Sequence, residues 1–288
     1  DITAAINAEL GSNYFAKNVT INLAENGAYT ISAAIKACGN IAITGAAGAT
    51  IDASALEGNM IEYAVVESST GWTAANVSVK SVSVKGLKKA LFFSACKNYV
   101  AENFIIDDCV VEQAADATTI DYTKGSTAKN ITVTNSTFYA PTATTKSFYS
   151  SQGGQKYTEY DTAADAMQTF KFANNTMYNL APGKNFFSHR QNSQKWMTYD
   201  VKNNIFVDCG KSGQVIKGMN GGGSSANPVW DIDGNVFNFK GADTSASEAT
   251  GDEAEPVKNS VEAVVTFTDA AAGNFDAQLG TPTVPATP

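Results

Sequence analysis

The sequence predicts an all-β fold: a single-stranded, right-handed parallel β-helix, a three-sided solenoid closed by an N-terminal helical cap. Three observations predict it. A pattern returns about every 27–31 residues, each period holds three short strands, and helical periodicity is almost absent between residues 30 and 240.

The pattern is carried by VSVKSVSVK (77–85), FIIDDCVVE (104–112), ITVTNSTFY (131–139), FKFANNTMY (170–178), YDVKNNIFV (199–207) and WDIDGNVFN (230–238). Each copy alternates apolar and other residues over three positions, as a half-buried strand does, then turns at Asn or a small polar residue. A final apolar position opens a second strand. Residues 19–23 and 41–43 read as two earlier, less regular copies. A further short strand follows in ALFFS (90–94), TTIDY (118–122), SFYS (147–150), NFFSH (185–189) and QVIKG (214–218). A 27-residue period is too short for a βαβ unit, which needs about 30 residues or more, and suits one coil of a solenoid. The expected core columns are Ile106, Val133, Phe172, Val201 and Ile232, and Val111, Phe138, Met177, Phe206 and Phe237.

Asp108, Asn135, Asn174 and Asn203 share the bend position. They are expected to form a structural ladder, since Asn tolerates the left-handed backbone and stacked amides can bond from coil to coil. The Asp107–Asp108 pair is absorbed by the same column and is not expected to be catalytic.

The expected organisation is a single domain over 1–279, with a cap at 1–16, a mobile loop at 240–258 and an extended tail at 280–288. In the cap, Ile2, Ala5, Ile6 and Leu10 fall on one helical face. SVEAVVTF (260–267) reads as a closing strand.

Charge and composition exclude several functions. The 288 residues carry 28 acids and 20 bases, a net charge of −8. That opposes binding to nucleic acid, whose affinity rests on neutralising phosphates. No apolar run is long enough to span a bilayer. GMNGGGSSANP (218–228) lacks the Lys-Ser/Thr ending of a phosphate loop. Cys38, Cys96, Cys109 and Cys209 show no metal-ligand spacing. They are expected mostly as buried free thiols, with a disulfide between nearby coils as the alternative.

The opening DITAAINAEL…NVTINLAENGAYTIS…NIAITG, followed by NITVTNSTF-type coils, resembles the start of pectate-lyase-like parallel β-helix proteins. The ending FTDAAAGNFDAQL resembles a function-unassigned subgroup found among surface lipoproteins of polysaccharide-degrading Gram-negative bacteria. The resemblance implies secretion, outer-membrane attachment through an upstream lipid anchor, and contact with a polysaccharide or oligosaccharide. It leaves catalysis open, because one fold hosts many activities.

A pectate-lyase-type reaction requires Ca²⁺ on a carboxylate cluster and an Arg or Lys base, and a polygalacturonase-type reaction requires close acids. The family's Gly-His-Gly and Arg-x-Lys motifs are absent from this sequence, whose one His and one Arg are His189 and Arg190. On the strand that carries the site in this superfamily, taking Ile120, Phe148, Phe187 and Ile216 as inward places Asp121, Tyr149, Ser188 and Lys217 outward. Arg190 follows two positions later. The expected activity is therefore glycan binding without catalysis, no cofactor and no metal. The alternative is a lyase or glycoside hydrolase on uronate-containing glycans, with Asp121 as partner of Arg190 or Lys217 and Ca²⁺ if a lyase. A third reading is a structural adhesin or spike module.

The expected binding residues are Tyr149, Ser188, Arg190 and Lys217 on that face, with Tyr157, Tyr160 and Trp196 in and after the long loop 150–168. Aromatic rings stack on sugar C–H faces while their polar tips bond hydroxyls.

Overall fold

A computed structural model describes residues 1–11, 18–37, 39–63, 72–94, 96, 98–122, 126–151, 157–163, 167–184, 186–188, 196–210, 224–238 and 261–280. The chain is mostly β, and its strands form three parallel sheets visited in rotation. The first face holds Val19–Leu23, Ile41–Gly45, Thr73–Lys80, Tyr99–Asp107, Ser126–Thr134, Gln168–Ala173, Trp196–Lys202 and Ser224–Asp233. The second holds Ala28–Thr30, Thr50–Asp52, Ser83–Leu87, Val110–Gln113, Thr137–Tyr139, Thr176–Tyr178, Ile205–Val207, Val236–Asn238 and Val261–Glu262. The third holds Ile35–Ala37, Ile61–Tyr63, Phe92–Ser94, Ile120–Tyr122, Tyr149–Ser150 and Phe187–Ser188. These are the three strands per period that the sequence predicts.

Register follows the repeat. Ile106 pairs with Val133, Val133 with Phe172, Phe172 with Val201 and Val201 with Ile232. On the second face, Val111, Phe138, Met177, Phe206 and Phe237 pair in the same succession. All of these side chains are buried. Each column places an apolar side chain on its equivalent one coil away, so the core is a continuous stack and not a set of separate clusters.

The predicted ladder is divided between two adjacent columns. Asp108, Asn135, Asn174 and Asn203 do take left-handed backbone, with φ of 54°, 52°, 58° and 53°. They are exposed, and of the bonds they make from coil to coil only Asn174 Nδ2 to Asn135 Oδ1 (3.2 Å) joins two members of the set. Asn135 Nδ2 reaches Asp107, not Asp108. The buried amide ladder lies one residue later, at Asn175, Asn204 and Asn235. There Asn175 Nδ2 donates to Asn204 Oδ1 at 3.0 Å and Asn204 Nδ2 to Asn235 Oδ1 at 2.9 Å. The same oxygens accept the backbone N–H groups of Asn175 and Asn204. Ser136 and Cys109 continue the column. The physical reason is steric: the left-handed residue projects its side chain out of the bend, and the residue after it turns inward onto backbone groups that have no sheet partner.

A second, more exposed polar ladder runs within the first-face strands, along one outward column. Asn103 donates to Asn76 at 2.8 Å, Asn130 to Asn103 at 3.1 Å, and Thr169 to Asn130 at 2.8 Å.

At the amino end, helix α1 (Ile2–Leu10) lies over the first coil with Ile2 and Ile6 buried and Ala5 exposed. Asp1 caps it, accepting from Ala4 N at 2.9 Å, and also accepts from Ser32 Oγ at 2.7 Å. At the carboxyl end, Val261–Glu262 closes the second face as a short strand. The antiparallel pair Val265–Asp269 and Asn274–Leu279 then folds back over the outside of that face. Phe275 meets Tyr139 edge-on at 5.0 Å, and Phe267 meets Tyr178 at 5.8 Å. Tyr139 is consequently buried although it lies in an outward column, and its hydroxyl donates to Glu112 at 2.8 Å.

Cys96, Cys109 and Cys209 are buried free thiols. Burial pushes the Cys109 thiol up to about 12, so it is not a nucleophile at neutral pH. Cys38, the 240–258 segment and residues 281–288 lie outside the described residues. No helix among the described residues is long and apolar enough to cross a membrane.

Candidate functional site

The third face has the shortest strands, so the turns leading into it dominate its surface. Its outward column is Lys36, Glu62, Phe93, Asp121, Ser150 and Ser188, fixed by the strand register. Asp121 and Ser188 therefore share one column, but Ser188, expected to bind a ligand there, is 2% exposed and does not line the groove. Tyr149 does not join them. It pairs with Ile120 and Phe187, points inward and is 1% exposed. Phe148, expected inward within the strand, instead fills the corner before it, stacked on Phe186 at 5.1 Å. Each third-face strand after the first is entered through two consecutive buried residues: Met60–Ile61, Leu91–Phe92, Thr119–Ile120, Phe148–Tyr149 and Phe186–Phe187. In a two- or three-residue strand, alternation is too brief to show which of the pair begins it.

A cavity of about 440 Å³ opens over this column, lined by Asn59, Lys89, Phe93, Asp116, Asp121, Lys146 and Ser150. Phe93 is half-buried on its floor. Asn59 is held in place by accepting from Ala90 N at 3.2 Å and donating to Glu62 at 3.3 Å. Asp116 staples the turn, accepting from Thr145 N and Thr145 Oγ1 at 2.6 Å each and from Lys146 N at 3.1 Å. Lys89 and Lys146 are exposed at the rim, and among the described residues neither has a carboxylate within ion-pair distance.

The two carboxyls of the groove are pushed apart. Burial raises the pKa of Asp121, and a hydrogen bond from Ser150 offsets this only in part. Burial acts the same way on Asp116, but the bonds from Thr145 and Lys146 together outweigh it and the pKa falls. The Asp121 shift has a measurable consequence. Below the unfolded-chain pKa, both states are protonated and Asp121 is neutral to stability. As pH rises, the unfolded chain ionises first, so stability is lost up to the raised folded pKa and stays lost above it. Asp121→Asn is therefore expected to raise the thermal midpoint at pH 7 by about 1–2 °C and to change it little at pH 3, measured by calorimetry at both pH values.

A second arrangement involves the long loop. Its short helix α2 (Tyr157–Tyr160) places Tyr160 edge-on to Trp72 at 5.2 Å, and the Tyr160 hydroxyl donates to Glu102. Lys129 lies 3.7 Å from the same carboxylate. Tyr160 is thus engaged in fastening the loop to the first face, and burial together with the bond to Glu102 raises its hydroxyl to about 12. Trp196 begins a first-face strand, at 196–202; its side chain, that of Tyr157, and residues Arg190 and Lys217 lie outside the described residues.

Sequence reasoning missed Phe93, Asn59, Lys89, Asp116 and Lys146. A signal existed: Asn59, Lys89, Asp116 and Lys146 each sit three to five residues before an outward residue of the column. Phe93 is apolar and reads as core unless the register is known.

A calcium site does not fit the residues present. Asp116 is committed to its turn, Asp121 has its ionised form disfavoured, and two lysines flank them. Calcium takes six to eight oxygen ligands with several carboxylates among them. Among the described residues, no three His, Cys, Asp or Glu side chains converge.

No family model, no curated protein and no solved structure matches the chain.

Proposed function

We propose that this chain is a right-handed parallel β-helix of the pectate-lyase-like kind. In this reading it is displayed at the cell surface or secreted, is lipid-anchored to an outer membrane, and binds polysaccharide or oligosaccharide along the third-face groove without catalysis. The handedness follows the rule for parallel crossovers, which are right-handed in nearly all proteins. The observation that carries the function is Phe93: a half-buried ring on the groove floor, flanked by Asn59, Asp121, Lys89 and Lys146. An aromatic face with planar amide, carboxyl and ammonium groups around it matches the alternating apolar and hydroxylated surfaces of a sugar.

Affinity electrophoresis through gels containing plant and host polysaccharides tests this. Retention on at least one glycan is expected, weakened about tenfold or more by Phe93→Ala, since buried aromatic anchors carry most of such binding energy. Migration unaffected by every glycan overturns the reading, and retention unchanged in Phe93→Ala moves the site elsewhere.

One observation favours a second reading, hydrolysis. Asp121 and Asp116 line one groove with pKa values shifted in opposite directions, as an acid and a base would be. Incubation with uronate-containing glycans separates the two readings. New reducing ends that disappear in Asp121→Asn replace binding with hydrolysis. Unsaturated products lost in Arg190 or Lys217 variants point to a lyase.

A further inference from the structure

Inside the apolar core, a polar seam runs along the corner where the third face leads into the first. The inward column at the end of the third-face strands is Tyr63, Ser94 and Tyr122, joined by register, and Ser151 follows one residue past the Asp121–Ser150 pair. Every member carries a hydroxyl and none is more than 4% exposed. Tyr99, at the start of a first-face strand, stacks on Tyr63 at 4.2 Å and brings another hydroxyl into the seam. Some of this polarity is satisfied: Tyr63 donates to Gly39 O, and Ser126 Oγ donates to Ser94 O at 3.0 Å. The hydroxyls of Ser94 and Tyr122 find no partner among the described residues.

Two such groups in successive coils are not a chance defect of packing. A buried hydroxyl without a partner is destabilising, and native proteins pair nearly all of them with protein or ordered water. The column alternates large and small, Tyr63–Ser94–Tyr122–Ser151. Each hydroxyl can both donate and accept, so a bridging molecule needs no charge and no particular polarity. Water meets these requirements of size, neutrality and dual hydrogen bonding.

We propose that the seam is an internal water-binding site, in which ordered water bridges the Ser94 and Tyr122 hydroxyls and ties consecutive coils together at this corner. Its test is independent of any glycan. A crystal structure of the full chain, at a resolution that orders solvent, is expected to hold water within hydrogen-bonding distance of both hydroxyls. Tyr122→Phe is expected to lose that water and to lower the thermal midpoint by about 2 °C, because the water and Ser94 are stranded. A rise in the midpoint overturns the proposal, since it means that an orphan polar group was removed from apolar surroundings. Absence of water density there also overturns it. If the variant fails to fold, oxygen-17 relaxation dispersion on the unaltered protein decides the matter. Long-lived internal water supports the site, and none removes it.

Discussion

Asn204→Ala is expected to destabilise the chain by about 3–5 kcal/mol. Asn204 is fully buried at the centre of the inner ladder. Its oxygen accepts from Asn175 N at 2.9 Å and Asn175 Nδ2 at 3.0 Å, while its amide donates to Phe172 O at 2.8 Å and to Asn235 at 2.9 Å. Truncation strands two donors of one coil and a carbonyl of the same coil, in a site where the stacked neighbours are held by their own sheets. The matched control is Asn174→Ala, one residue earlier and exposed. It removes a single exposed bond to Asn135 and the Asn preference for φ near 58°, and is expected to cost about 1 kcal/mol. Urea unfolding of both variants, with amide exchange at Asn175 as a local readout, checks the difference. Equal effects would mean that the inner ladder does not hold the bend.

Phe172→Ala is expected to cost about 3–5 kcal/mol and to lower the thermal midpoint by roughly 6–15 °C. Its ring is fully buried, 5.1 Å from Phe187, 5.7 Å from Phe148 and 6.0 Å from Phe206, so from the first face it meets rings of the second face, the third face and the corner before the third. Its partners in register are Val133 and Val201. Neither is long enough to fill the vacated space, and both are fixed by their own strands. Phe172→Leu leaves most of that volume filled and should cost well under half as much. Calorimetry on the two variants separates cavity formation from loss of aromatic contact. A Leu variant as unstable as the Ala variant would show that ring geometry, not volume, holds this layer.

Much of the solenoid was legible because its signal repeats. One copy of apolar–x–apolar is weak, but six copies in phase identify the columns through Phe172 and Phe206 without reference to any structure. The bend was legible as a position and misread as a role. Asn174 and Asn175 are adjacent and identical in type. Which of them faces inward depends on a left-handed residue rotating the chain, and residue type alone does not carry that rotation. Tyr149 was misplaced for a related reason. Its strand has two residues, Phe148 before it is equally apolar, and one step of register exchanges inside for outside.

The site was legible in part. Asp121 was placed on the groove because a series of third-face strands put it in an outward column, whereas Ser188 falls in the same column but is buried and does not line the groove. Phe93 was hidden because an outward phenylalanine looks like a core residue until its neighbours Glu62 and Asp121 are seen beside it.

The sequence by itself determined the period, the three strands of each coil, the apolar columns and the amphipathic cap. Each of these is a local pattern or the repetition of one, and such patterns survive in a linear string. Only the tertiary structure decided which asparagines are buried, that Tyr149 belongs to the core, and that the carboxyl-terminal hairpin covers Tyr139 and Tyr178. It also decided that turns from four coils converge on Phe93. Those are relations between residues about 30 or more positions apart, set by coil-to-coil register and by how each bend directs its side chains.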